Sequence, residues 1–440
     1  MIKKLISAVI TIVIAFLFCG CDLFTADTAE LLSPPSLSGD FKYISQALKQ
    51  SAGNNYTLKY PSRGDYRSAV IQMDINGDGT NEAFAFYSMT DGDIVTMHIN
   101  VIHNDSGKWV SAGEQHVVAG GVDKIEFCDL DNDGALDILV GWEIYGASEK
   151  QLAVYSFTEN TVTQRMLQKY TDYVVCNLDG DNKSEILLID FNAAELKNTA
   201  ALYTLNQKGM TLIDSCQLDG KVQSIGEPII SQLSSGKPAV YIDAVKGLGA
   251  ITEVLFFEKG QLLNTLYDAE LMENSKTLRS ASFTTYDINN DGILEIPVQE
   301  NVPAVANAEV TEKLYLTKWC SFNGEILTNQ LTAMINVLDG YYYVLPQKWL
   351  GNIAVLKDTD NRIREVYSYD SETLTVGESL LYFRAFSKKD WKSGKYKNSQ
   401  FAEVAQDDQS VFVCKISDSA KQQGLTLESV KSNFVIYDKE

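Results

Sequence analysis

Histidine is almost absent from this chain: His98, His103 and His116 are the three present among 440 residues. Proline is scarce, at eight, and 37 basic residues face 58 acidic ones. Each shortage excludes something. With a formal net charge of −21 the chain lacks the basic face that nucleic-acid binding needs, so no nucleic-acid partner is expected. Cysteines 128, 176, 216, 320 and 414 are odd in number and form no CxxC pair, so no disulfide framework is expected. No G-x-S-x-G elbow, P-loop, HExxH or Rossmann fingerprint occurs, so no catalytic residue is named and the chain is expected not to be an enzyme. After residue 21 no apolar run is long enough to span a bilayer. His98 and His116 fall in expected strands and read as ordinary strand residues.

What is present begins at the N-terminus. Lys3 and Lys4 precede an apolar run from Leu5 to Phe18, whose polar members are Ser7 and Thr11. The run ends in Phe18-Cys19-Gly20-Cys21-Asp22. A basic start, an apolar stretch of this length and a small residue before a cysteine make a lipoprotein signal peptide, 1–20. Gly20 is that small residue, so Cys21 is expected to carry the lipid, a palmitate-type anchor. Phe18 is too bulky to give Cys19 that role. The protein is then extracytoplasmic and held on the bacterial cell membrane. Residues 22–39, with Ser33-Pro34-Pro35-Ser36, read as a tether. Asp40 is placed to cap a short helix bearing Phe41, Ile44 and Leu48 on one face, stopped by Gly53. Tether and helix make a unit over 21–62.

From Tyr66 a repeat sets in. The nonapeptides 74–82, 129–137, 177–185 and 287–295 share the pattern D/N-x-D/N-x-D-G/N-x-x-D/E, each followed by an apolar strand. Their first positions lie 55, 48 and 110 residues apart, so a further copy is due near residue 231. Ser231–Ala239 stands there. It keeps Gly236 and the following Val240-Tyr241-Ile242, and it has no carboxylate. A unit of about 55 residues has room for four short strands, the content of a propeller blade. The 22 tyrosines and 18 phenylalanines also favour β-structure. The expected fold is mainly β: a β-propeller of about five blades over 63–337, with Asp-rich calcium loops. A solenoid is the other arrangement of such a repeat; closure into a ring deals better with edge strands. The repeat fades over 338–440, which reads as a small C-terminal α+β domain or, over 341–376, a sixth divergent blade.

Oxygen-rich loops suit hard divalent cations. Positions 1, 3 and 5 offer side-chain oxygens: Asp74, Asn76 and Asp78; Asp129, Asp131 and Asp133; Asn177, Asp179 and Asp181; Asp287, Asn289 and Asp291. Position 6 is Gly, or Asn182 in the third loop, as suits a left-handed backbone. Position 7 offers a carbonyl from Thr80, Ala135, Lys183 and Ile293. Position 9 supplies the closing carboxylate of Glu82, Asp137, Glu185 and Glu295. Up to four structural Ca2+ ions are expected. An EF-hand would need Glu at position 12, where Ala85, Val140, Leu188 and Val298 stand.

These loops resemble those of the FG-GAP/VCBS class of integrin-α-like β-propellers, in which calcium loops join adjacent strands of a blade. The Phe-Gly and Gly-Ala-Pro elements of that class are not evident. The layout is also similar to clostridial VCBS-repeat lipoproteins, on the stretches Leu58–Ala69 and Phe386–Trp391. The resemblance implies a lineage and an envelope location, and no activity. The expected role is a binding or scaffolding module for a protein or glycan. The other reading is a polysaccharide-active envelope enzyme built on paired carboxylates. Trp319 and Tyr341–Tyr343 read as strand core rather than as a glycan platform.

Overall fold

The computed structural model describes residues 39–144, 150–192, 197–280, 283–303, 305, 314–394, 396 and 400–437. The expected signal peptide, Cys21 and most of the expected tether lie outside the described residues. The protein is mainly β, in six antiparallel sheets. Sheet 1 holds Glu82–Asp91, Ile94–Asp105 and Lys108–Val118, with Val70–Met73 and Thr57–Leu58 both pairing with Glu82–Asp91. Sheets 2 and 3 are four-stranded meanders. Their strands are Gly121–Cys128, Asp137–Glu143, Lys150–Thr158 and Thr161–Tyr170, then Asp172–Cys176, Glu185–Asn192, Lys197–Asn206 and Gly209–Leu218. Sheet 4 is built on Pro238–Lys246 and Gly249–Glu258. Sheet 5 holds Ile296–Val302, Leu314–Phe322, Leu327–Asn336 and Tyr341–Val344, and is joined at its edge by Phe434–Ile436. Sheet 6 runs from Ile353–Asp358 at one edge to Ala402–Gln406 at the other, with Ser410–Ile416 beside the latter.

The strand after each loop explains how the sheets stack. It is apolar without alternation because both of its faces are covered. In sheet 1, Phe84 and Phe86 turn toward sheet 2, while Ala83, Ala85 and Tyr87 turn the other way. In sheet 2, Ile138, Val140 and Trp142 meet sheet 1, and Leu139 meets sheet 3. Sheet 3 divides Ile186 and Leu188 from Leu187 and Ile189 in the same manner. The two-residue period of a strand thus turns one apolar run into two cores. Each side chain of Phe84 or Ile138 size buried this way contributes about 1.5–3 kcal/mol. Gly141 breaks the run for a steric reason: a Cβ there would lie 2.0 Å from the Tyr170 hydroxyl.

The row of sheets does not close into a ring, which corrects the closed propeller expected from sequence. Among the described residues no strand pairing and no apolar cluster joins sheet 1 to sheet 6. The reason is that other elements cover both end faces. Helix α1, Phe41–Ala52, lays Ile44, Ala47 and Leu48 on Ala83, Ala85, Tyr87, Ile102 and Trp109. At the far end Trp391, Tyr396 and Phe401 cover Phe386, Val411 and Val413 of sheet 6. Two details of α1 differ from expectation. Asp40 is itself in the helical region and makes no side-chain cap, and Phe41 stays 38% exposed while Ala47 takes its place inward. Cys128, Cys176, Cys216, Cys320 and Cys414 are all free thiols.

Candidate cation-binding loops and the opposite edge

The nonapeptides 74–82, 129–137 and 177–185 each join two antiparallel strands along one edge of the row, and 287–295 is closed by a single antiparallel bridge between Tyr286 and Glu295. The loop backbone is shaped by left-handed residues at position 4 and, in three loops, at position 6: Gly77 and Gly79, Asn132 and Gly134, Asn290 and Gly292. The third loop departs from expectation. Gly180 is left-handed, but Asn182 is not. Side-chain oxygens then gather the turn. Asp74 accepts from the amides of Gly77 and Gly79, both at 2.8 Å, and Asp287 accepts from Gly292 at 2.8 Å. Position 5 accepts from the amide of position 7: Thr80 to Asp78, Ala135 to Asp133, Lys183 to Asp181 and Ile293 to Asp291, at 2.6–2.8 Å.

The closing carboxylate is the buried member of each loop. Glu82, Asp137, Glu185 and Glu295 are at most 5% exposed. Each accepts from the amide of position 2: Ile75 at 3.2 Å, Leu130 at 3.3 Å, Leu178 at 2.9 Å and Ile288 at 3.1 Å. Neighbouring loops are also joined to one another. The Leu136 amide donates to the Ile75 carbonyl at 2.7 Å, and the Ser184 amide to the Leu130 carbonyl at 3.2 Å. In the Ser231 copy the equivalent position is Pro238, which has no amide proton to give.

The four acidic loops are not equal. Ligand oxygens of Asp129, Asp131 and Asp133 lie within 4.8 Å of one another, as do those of Asp179, Asp181 and Glu185. The loops at Asp74 and Asp287 form no such group of three carboxylates. There the amide nitrogen of Asn76 bridges Asp78 at 3.1 Å and Glu82 at 3.5 Å, and that of Asn289 bridges Asp291 at 3.0 Å and Glu295 at 3.5 Å. Glu185 is fully buried, and its Oε1 has no hydrogen-bond partner. Burial, then the charges of Asp179 and Asp181, push its carboxyl up to about 7. Burial pushes Asp137 up to about 6 against hydrogen bonds from Ser156 and Leu130. Glu82, Asp131 and Glu295 are raised from the same first cause, burial. An oxygen-lined turn whose buried carboxylate is short of a partner fits a hard divalent cation.

Sequence reasoning missed the opposite edge of the sheets. Asp123, 2% exposed at its side chain, takes Arg63 at 2.8 Å, Lys150 at 2.8 Å and Tyr170 at 2.5 Å. Arg63 continues to Asp172 at 2.9 Å. Burial pushes the Asp123 carboxyl up, but these three donors outweigh it and hold it at about 2. Between later strands Asp219 and Glu273 share Lys246, at 2.7 and 3.0 Å, and Asp243 holds Arg279 at 2.7 Å. These residues come from segments far apart in sequence, with no shared spacing to give them away.

A cleft holding free paired carboxylates would mark a glycosidase-type site. One described cavity has two acids, Asp339 and Asp407, and both are committed. Asp339 accepts from Arg362 at 2.6 Å, and Asp407 from the amides of Gln409 and Ser410 at 2.8 and 2.6 Å.

No family model matches the chain, and no curated protein matches it in sequence. Among solved structures it is similar to an exotype rhamnogalacturonan lyase, with 10% identity over 81% of this chain and 90% of that one, at a TM-score of 0.31. A periplasmic gluconolactonase of Pseudomonas aeruginosa shares 12% identity over 73% and 86%, at 0.28. An exo-β-1,3-galactanase of Phanerochaete chrysosporium shares 10% over 83% and 89%, at 0.26. The expectation that the chain is no enzyme is corrected here. The similar structures are named for enzymes, a rhamnogalacturonan lyase, a gluconolactonase and a galactanase among them, and a motif missing from the sequence excludes no chemistry. Likeness at this level assigns no reaction to this chain.

Proposed function

We propose that this chain is a calcium-binding lipoprotein of the bacterial cell envelope, in which calcium knits one edge of the sheet row and the row meets an envelope protein or polysaccharide. The observation that carries calcium is Glu185 Oε1: a buried carboxylate oxygen without a partner, grouped with Asp179 and Asp181. Asp129, Asp131 and Asp133 form the second site. The loops of Asp74 and Asp287 are weaker sites, in which the Asn76 or Asn289 amide must turn its oxygen inward. Bound calcium would supply positive charge to oxygens that the protein itself leaves short of it. Calorimetric titration of the chelator-stripped mature chain tests this, with at least two Ca2+ expected per chain. Absence of calcium binding at millimolar concentration would overturn the reading.

The lipid anchor belongs to the same proposal and rests on Gly20-Cys21. Labelling by a palmitate analogue should disappear in Cys21→Ser. The second reading, a polysaccharide-active enzyme, has support in what the similar structures are named for. Incubating the calcium-loaded ectodomain with rhamnogalacturonan and β-1,3-galactan separates the readings. Released oligosaccharide favours the enzyme; retention on the polymer without cleavage favours a binding module.

A further inference from the structure

The three histidines are concentrated in sheet 1, and two of them meet. His98 of Ile94–Asp105 stands directly opposite His116 of Lys108–Val118, with the rings stacked 5.4 Å apart. The hairpin alone would not do this. From the turn at Asp105 and Lys108 the pairing runs regularly to Ile102 opposite Ser111, and continued in that register it would set His98 against Gln115. A one-residue bulge between Val101 and Ile102 shifts the partner to His116. Because strand side chains alternate, the shift brings His116 and Glu114 onto the face that carries His98.

Ligand atoms of His98, Glu114 and His116 lie within 4.8 Å of one another. Their polar contacts are unbalanced in a particular way. The Thr96 hydroxyl lies 3.4 Å from the Met89 carbonyl, to which it donates, and 2.8 Å from His98 Nε2. The contact with Nε2 is the shorter of the two, so Thr96 holds Nε2 and Nδ1 is the nitrogen turned toward Glu114. That Nδ1 is buried, has no aligned hydrogen-bond partner, and lies 3.3 Å from Glu114 Oε1. Nδ1 and the carboxylate oxygen thus approach one another without an aligned hydrogen bond between them. The other carboxylate oxygen, Oε2, accepts from the Tyr87 hydroxyl at 2.5 Å, and the Tyr87 ring stacks on His98 at 5.0 Å. Thr96 and Tyr87 thus hold two of the three groups from behind, as the outer partners of metal ligands do.

We propose that His98, Glu114 and His116 form a binding site for a transition-metal ion of the zinc type. Two imidazoles and one carboxylate suit a borderline ion rather than calcium, which prefers oxygen throughout. Three protein ligands leave a fourth position to water or an exogenous group. The site is separate from the acidic loops: Tyr87, level with His98, lies five residues along the strand from Glu82, about 16 Å at the rise of a β-strand. His98 is buried, while Glu114 and His116 are exposed, so an ion can enter from solvent.

Titration of zinc chloride into the mature chain, with millimolar calcium present to fill the oxygen loops, tests the proposal. One zinc per chain is expected. His116→Ala and Glu114→Gln, both at exposed positions, should each weaken zinc at least tenfold and leave calcium binding unchanged. Cobalt substitution should give a visible absorption band of a four-coordinate ion, lost in His116→Ala. No zinc bound in calcium, or full zinc affinity in both variants, would overturn the site. Failure of the calcium sites would leave this result readable, since the variants touch neither loop.

Discussion

Asp123 and Asp137 lie toward opposite ends of the same pair of strands, and both are buried carboxylates. At one end the protein provides its own cations: Arg63 and Lys150 hold Asp123 at about 2. At the other end Asp137 is pushed up to about 6 by burial, with Asp131 and Asp133 beside it. Lys183 is the one base acting favourably on Asp131. A buried carboxylate costs several kcal/mol unless paired. One edge is therefore complete in itself, and under the calcium proposal the other is completed by a cation from solution. Destroying either edge selectively should show this difference.

Removing calcium gives the largest expected effect. A ligand at 100 times its dissociation constant contributes about 2.7 kcal/mol per site to the folded state. Excess EGTA should therefore lower the melting temperature by several degrees, read by differential scanning fluorimetry. Equal melting with EGTA and with millimolar calcium would erase the contrast between the edges.

Arg63→Met attacks the self-sufficient edge. Removing one partner of a buried pair costs about 3–5 kcal/mol; Arg63 is a third exposed, so about 2 kcal/mol is expected. The loss should be the same with or without calcium. The pH dependence has a definite sign. The folded Asp123 carboxyl titrates below its usual 3.8, so its stabilisation is full above about 4 and is lost as pH falls toward 2. The variant should lose less stability than the parent across that acid range, measured by urea unfolding.

Glu185→Gln should act oppositely in two conditions. In EGTA it replaces a partner-short buried charge with a neutral amide and should stabilise by about 1 kcal/mol. In calcium it removes a charged ligand and should weaken the third-loop site about tenfold. A variant that destabilises equally in both conditions would mean that Glu185 is structural only.

How much of this was legible follows from how far each feature reaches along the chain. The loops and the strands after them are contiguous, so both acidic spacing and apolar runs show in the sequence. The Ser231 copy was found by period alone, and Ser231–Ala239 does join Ile229–Gln232 to Pro238–Lys246. Closure was not legible, because it depends on whether a helix such as Phe41–Ala52 caps the end face or a last sheet does. Arg63, Asp123 and Asp172 meet only through tertiary packing. His98 and His116 were separated by a hairpin whose register could be counted, but the bulge beside Gly113 moves that count by one. The Asn182 turn failed because Gly180 alone supplies the left-handed residue in that loop.

The smallest expected effect comes from the Ser231 copy, and it bears on what a carboxylate-free turn does in place of a cation. Its position 3 is Leu233, fully buried in the core shared by sheets 4 and 5 with Tyr241, Phe256 and Phe322. Position 9 is Ala239, also fully buried. The turn closes on backbone: the Leu233 amide donates to Lys237 and the Gly236 amide to Leu233, both at 2.8 Å, while the Ser234 amide reaches the Phe322 carbonyl of sheet 5 at 2.8 Å. Tyr241 fills the Gln232 carbonyl with its hydroxyl at 3.1 Å. An apolar plug and main-chain bonds thus occupy the room that ligands take elsewhere. Restoring acids at the outer positions, as Ser231→Asp with Ser235→Asp, supplies two carboxylates but no inner oxygen. The double variant should change stability by no more than about 0.5 kcal/mol and bind no additional calcium. An extra calcium in its titration would mean that two outer carboxylates suffice, and the weight given to the buried closing residue in the other four loops would be misplaced.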